Sequence, residues 1–600
     1  MSTPEPQAEA GETQDPARDP LAPALGEPIH PSVTAATLLQ RAASALAAGQ
    51  SGVALATANQ MITAPSGPDD AILAHAWLAQ ACELDNRPDE ALAHAEAAIA
   101  AGRPFELGTT DALLSILLTS DDELTVWDAA HGLVVVRREL LAQFPDMPDT
   151  LRGLSLALNE VAGLHGEVGE LDQALVSYTE SLGLARRTRA AVGDTAQSLR
   201  DLSVALTDVG RVQEARGDLD AALIAYTKSL ELARDIRQAY GETPQSLRDL
   251  SISLNDIGDL HRARNELDEA LAAYTESLHI ARRNRGTYGD TPESLHDLTI
   301  SLNNIAGVQV ERDHLDEALE AYTEALQLRR RICSTFGDNA DSLRDLSGSL
   351  TDVGRVEEAS GLLDDALTTY TEALDLARHI VETYGETAES MRDLSISVND
   401  VGDLHRARDE LDEALAGYTE AVRIRRRIRE AYGESAQTLR DLSVSLTDMG
   451  RIHETNEDLD AAQAAYSESL ELARRLREAY GETAQSLRDL SISLNDVGDL
   501  HRAREELDKA LAAYSESLQL ARNIREAYGD TPQSVRDLSI SLNNLAGVQE
   551  RRGRRDEALA AYSESRQWYA LLAARYGPPF ADEDELQAVE DAIGRLAAAQ

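Results

Sequence analysis

Histidines recur along the 600-residue chain at His165, His261, His405, His453 and His501. Imidazoles in a row can ligate a metal ion or switch charge near neutral pH. Each of these falls near a leucine stripe on a helical wheel, so the expectation is a buried packing residue with no metal bound. The two cysteines, Cys82 and Cys333, have no metal-ligand spacing and make no disulfide framework. Cys333 is expected to be an inert core substitution. Paired carboxylates in the recurring "LDEAL" segments open helices, where the dipole stabilises negative charge, and need no acid–base role. The sequence contains no glycine-rich phosphate loop, no HExxH and no nucleophile elbow. Neither catalysis nor a cofactor is expected.

The elements that carry these residues repeat. "RDLSISLNDVGDLHRAR" begins at Arg488, and close variants begin at Arg248 and Arg392. Aligned on pairs such as Tyr240-Gly241, Tyr288-Gly289 and Tyr528-Gly529, the chain has a period of 48 residues from Pro145 to Tyr576 without insertion or deletion. A fixed period in this range signals a solenoid. Each unit reads as two helices. In one of them Thr243 is the expected N-cap and Pro244 the first helical residue. Leu247, Leu250, Leu254 and Ile257 stripe the first helix, and Leu267, Ala270, Leu271, Tyr274 and Leu278 the second. Asn265 is the expected N-cap between them, and Gly289 the expected left-handed C-cap. Neither stripe can be buried by one helix alone; stacked neighbours bury it.

Composition agrees with helices packed on small residues. Hydrophobic residues make up 43% of the chain but aromatics only 4%, and alanine and leucine favour helix. There are 105 Asp and Glu against 56 Lys and Arg, a formal charge of −49. Such a surface repels nucleic acid and anionic membrane, so neither is an expected partner. The scarcity of lysine (Lys228 and Lys509) and abundance of alanine suit a GC-rich bacterial genome. The acidic, Pro-rich start is unlike a signal peptide, and no stretch reaches the roughly 20 apolar residues of a membrane helix. The expected location is the cytoplasm.

Gly210, Gly217, Asp218, Ala222, Tyr226 and Leu230 fall at the small and aromatic positions of the tetratricopeptide repeat signature, which the chain resembles. Ala174 through Ala558 and Tyr178 through Tyr562 fill two of those positions in all nine units. The "SLNNIAG" style of first helix is similar to the kinesin light-chain subtype. The family unit is about 34 residues, so each helix here is longer by roughly two turns. The resemblance implies an all-α, right-handed superhelical solenoid of antiparallel helix pairs. The expected layout is a disordered acidic tail at 1–30, degenerate helical pairs at 31–144, nine repeats at 145–576 and a capping helix at 577–600. Among these pairs, Trp77, Ala91 and Ala98 fit the shorter family unit.

One face of the first helix remains to be used. Arg248, Ile252, Asn255 and Asp259 form a row turned away from the leucine stripe. Their equivalents are Arg392, Ile396, Asn399 and Asp403, then Arg488, Ile492, Asn495 and Asp499, with Asn303 and Asn543 in the "NNIAG" and "NNLAG" units. By resemblance these residues line the concave groove that binds peptides. Asparagine can donate to and accept from a peptide backbone, and arginine can fork a carboxylate. The same row also suits a lattice between repeats, in which Ile252 touches the next first helix and Arg248 meets Asp259-type carboxylates. The arginine clusters "RRRIC" and "RIRRRIRE" read as solvated helix ends. The function expected is a non-catalytic scaffold or adaptor that binds protein or peptide segments. The alternative is a regulatory sensor that binds a peptide or small ligand and changes its superhelical shape. A monomer is expected, with at most weak self-association.

Overall fold

The computed structural model describes residues 31–47, 51–67, 69–84, 86–101, 105–120, 122–145, 147–576 and 583–598. The expected tail at 1–30 lies outside them. Every regular element among the described residues is an α-helix, and none is long and apolar enough to cross a membrane. The chain divides into two units, ending at Asp290 and beginning at Thr291. The first holds six helices of 11 to 21 residues, from Val33–Ala47 to Glu123–Gln143, and three hairpins, Pro148–Glu167/Leu171–Val192, Ala196–Ala215/Leu219–Tyr240 and Pro244–Ala263/Leu267–Tyr288. The second holds six hairpins, from Pro292–Glu311/Leu315–Phe336 to Pro532–Arg551/Arg555–Tyr576, and a last helix Glu583–Ala598. The hairpins are numbered repeats 1–9 below.

Local chemistry sets the ends of each helix. Thr243 Oγ accepts from Ser246 N, and Ser246 Oγ accepts from Thr243 N, a reciprocal capping box that recurs in repeats 2–9. Pro244 takes the first helical position, where its missing N–H costs nothing. The turn between helices differs from expectation. Glu266, not Asn265, is the N-cap of the second helix. Asn265 is left-handed at φ 60°. Its N–H reaches the Arg262 carbonyl at 2.9 Å, while the Glu266 N–H reaches the His261 carbonyl at 2.8 Å. That pair of bonds closes the first helix as a Schellman turn. Gly289 likewise has positive φ (90°), but with ψ −176° it occupies an extended region open essentially to glycine, not the left-handed cap expected.

Packing within a hairpin depends on close approach. Ala270 is fully buried, and Tyr274 covers Gly258 of the preceding helix. Buried serines bridge the two helices, as in Ser251–Ser277 at 2.7 Å and Ser491–Ser517 at 2.8 Å. Between hairpins of one unit, the second helix packs on the next first helix. Leu182 of repeat 1 joins Leu199, Leu202 and Leu206 of repeat 2 in one cluster, and Val422 joins Leu439, Leu442 and Leu446 across repeats 6 and 7. Tyrosines at the second-helix ends add a stitch. Tyr432 Oη donates to the Glu386 carbonyl at 2.6 Å and Tyr528 Oη to the Glu482 carbonyl at 3.0 Å. Each unit is therefore a helix-pair solenoid in which apolar burial runs from hairpin to hairpin. In the first unit Ala91 and Ala98 are fully buried and Trp77 packs beside them.

Candidate partner-binding face

The first helices carry the row singled out above, and its arginines are shared between neighbouring repeats. Arg392 Nε donates to Asp441 Oδ2 and Arg488 Nε to Asp537 Oδ2, both at 2.7 Å. Arg200–Asp249, Arg344–Asp393 and Arg440–Asp489 form the same rung at 2.7–2.8 Å. Arg248 is half-buried at the equivalent position. Arg392 and Arg488 thus do not meet the Asp259-type carboxylates. Those lie eleven residues further along their own helix, about 16 Å at 1.5 Å per residue. Asp259, Asp403 and Asp499 instead accept from the hydroxyls of Tyr274, Tyr418 and Tyr514 at 2.6–2.7 Å.

The asparagines split into two kinds. Asn399 is buried: Nδ2 donates to Asp448 at 3.4 Å and Oδ1 accepts from Ser445 at 3.0 Å. Asn255, Asn303, Asn495 and Asn543 are half-buried, and the Oδ1 of each, closed off from solvent, lacks a donor among the described residues. Beside them runs a second row, Asp208, Asp256, Asp400, Asp448 and Asp496. Burial pushes Asp208, Asp400 and Asp496 up to about 6, opposed by Arg211, Arg355 and Arg451 respectively. Oδ2 of Asp256, Asp400 and Asp496 also lacks a donor. The face is rich in acceptors whose hydrogen bonds are incomplete.

Its apolar component is exposed. Ile252 and Ile492 are 42% and 44% exposed, and Ile396 is half-buried. Leu156, Val204 and Val444 occupy the same position in other repeats and are about half exposed. Ile492 and Val444 flank a cavity of about 210 Å³ between the first helices of repeats 7 and 8. Arg440 and Asp489 form its rim, and Ala473 and Leu476 of the intervening second helix back it. Leu156 and Val204 flank a matching cavity of about 240 Å³ between repeats 1 and 2, backed by Ala185 and Thr188.

Two groups have roles other than those expected. His165, His261, His405 and His501 are not apolar packing residues. Each is half-buried, with Nδ1 2.6–2.7 Å from a glutamate five residues on, because the Schellman turn brings those two positions together. The arginine clusters are not wholly solvated either. Arg425 is 6% exposed, with Nε donating to Ser395 Oγ at 3.2 Å and Nη1 to the Asp441 carbonyl and Ser445 Oγ. Arg329, at the same repeat position, donates to Asp345 at 2.7 Å. Cys333 is a buried free thiol, raised by burial, in a core cluster.

A family model described as Tetratricopeptide repeat matches residues 195–235, 251–292, 299–336 and 339–381, and a second with that description matches 443–523. No curated protein matches the chain. Among solved structures, BtubC (BKLC) from P. vanneervenii is 18% identical, with 44% of this chain and 94% of that one covered at a TM-score of 0.36. The apo form of RapI is 12% identical over 70% and 99% of the two chains (TM-score 0.43), and yeast Tom70 is 14% identical over 89% and 97% (TM-score 0.37). At these TM-scores none of the likenesses carries a functional argument.

Proposed function

Because the chain belongs to the tetratricopeptide repeat family, we propose that it is a non-catalytic interaction scaffold, holding segments of partner proteins against its first-helix face. The observation that carries this reading is the exposed aliphatic residue recurring at one first-helix position: Leu156, Val204 and Ile252 in the first unit, Val444 and Ile492 in the second. Scattered surface apolar residues are ordinary, but an in-register series along one face supports reading it as a contact surface. The rim arginines and aspartates are already committed to one another, which favours recognition over acid–base chemistry.

Crosslinking the full chain in native lysate tests the reading. The triple substitution I252D/V444D/I492D alters only exposed side chains and should leave the circular dichroism helical. The proteins captured by the parent should be lost. Capture undiminished by the triple substitution would place the interaction elsewhere.

A further inference from the structure

The two cavities occupy one position in the repeat, six periods apart. Leu156, Val204 and Ala185 in one correspond to Val444, Ile492 and Ala473 in the other. The backing residue varies along the chain. It is Ala185 or Ala473 in the two cavities and alanine again at Ala233, Ala281, Ala377 and Ala521, but Arg329 in repeat 4, Arg425 in repeat 6 and Tyr569 in repeat 9. Arg425 lies in the gap between the first helices of repeats 6 and 7, held by Ser395, the Asp441 carbonyl and Ser445. Arg329 spans from His296 to Asp345 in the gap between repeats 4 and 5. One column of the repeat therefore holds a small residue beside each of the two cavities and a built-in plug at Arg329 and Arg425.

The open gaps define an occupant. At about 210 and 240 Å³ they are below the roughly 300–1,000 Å³ of a small-molecule site and suit one side chain. Val444, Leu476 and Ile492 line one cavity and Leu156, Val204 and Ala205 the other, among polar and charged side chains, and these aliphatic surfaces suit an aliphatic side chain. The charged lining is close to balanced, with Arg440, Arg451, Asp448 and Asp489 at one cavity and Arg152, Arg200 and Asp201 at the other. Arg440 is tied to Asp489 and Arg451 to Asp496. The sign of the occupant therefore follows the field of the whole chain. The chain as a whole carries 105 acidic against 56 basic residues. Resting on the scaffold reading above, we infer that the Ala185 and Ala473 gaps each seat an aliphatic side chain of a cationic, extended peptide segment, while Arg329 and Arg425 bar it from theirs.

The decisive variant is A473R. Ser443, the Asp489 carbonyl and Ser493 stand where Ser395, the Asp441 carbonyl and Ser445 hold Arg425. The introduced guanidinium thus has ready partners, and the thermal melt checks that the fold survives. The probe is a blocked, alternating Lys–Leu peptide with one photo-reactive leucine, crosslinked to the full chain and mapped by mass spectrometry. Alternating Lys–Ser and Glu–Leu peptides serve as controls. Crosslinks are expected on the helices bearing Val444 and Ile492 and on those bearing Leu156 and Val204. A473R should reduce the first set about tenfold and spare the second, as loss of one buried leucine contact implies. Lys–Ser should label about tenfold less than Lys–Leu, the loss of a contact of that size, and Glu–Leu should label less because the acidic chain repels it. Crosslinks on the first-helix face that ignore A473R, or equal labelling by Glu–Leu, would overturn the inference while leaving the scaffold reading standing. Crosslinks confined to the outer face of the second helices would overturn both.

Discussion

Gly258 faces the ring of Tyr274 so closely that a Cβ built on it would lie 2.4 Å from Cε1. Gly210, Gly354, Gly450 and Gly498 stand in the same relation to their own tyrosines, at 2.5–2.6 Å. Repeats 1, 4 and 9 carry Ala162, Ala306 and Ala546 instead, and in repeats 1 and 4 the ring gives way. Tyr178 and Tyr322 are only half-buried, whereas Tyr274 is fully buried. G258A should therefore cost about 1–3 kcal/mol, the usual penalty for an overpacked methyl, read as a lower midpoint in chemical denaturation. An unchanged midpoint would mean the ring has room to move. The tyrosine and alanine columns were legible from sequence, since both recur in all nine units. Arg425 was not. Within "RIRRRIRE" it looks like one more solvated cation, and only its alignment with Ala473 shows it in a core column.

At the scale of the helix and its turn, one position takes glycine in four repeats (Gly169, Gly217, Gly361, Gly553) and something else in five. Asn265, Asp313, Asp409, Glu457 and Glu505 all adopt φ near 60° there. A left-handed residue with a side chain costs roughly 1–2 kcal/mol, against about 0.4–1 kcal/mol for the extra freedom glycine brings to the unfolded chain. E505G should thus stabilise the protein by about 0.5 kcal/mol, the difference of those two terms, despite removing a charge. A destabilised E505G in thermal melting would show that the side chain contributes more than its strained backbone costs. The same turn explains why the histidines were misjudged. A helical wheel assumes the helix continues, but the Schellman bonds fold the chain back and place Glu266 against His261. The Arg–Asp rungs escaped for a related reason. A wheel shows which residues share a face of one helix, whereas Arg488 to Asp537 depends on how two successive helices lie side by side. The exposed isoleucine row needed only the wheel.

Over the whole molecule, excess negative charge meets an unusual number of half-dry carboxylates. Asp208, Asp400 and Asp496 hold protons up to a pH of about 6, because burial disfavours their charged form. In the unfolded chain an aspartate releases its proton near 3.9. The folded state therefore binds more protons between those values, so these groups penalise folding above about pH 6 and the penalty fades as pH falls through that range. The melting temperature of the parent should gain more on moving from about pH 7.5 to about pH 5 than that of D208N/D400N/D496N. Equal gains would assign the effect to other groups.

The rungs between first helices have a consequence for inheritance. Arg344 now meets Asp393, yet loss of the 48 residues from 388 to 435 would set it against Asp441 in the same geometry, with Thr387 ready to cap the helix that follows. Recombination can thus delete or copy a whole hairpin without leaving a mismatched joint. What such an event changes is the order of alanine and arginine along one column. Gene-length polymorphism in this chain would rewrite its selectivity while its architecture stays intact.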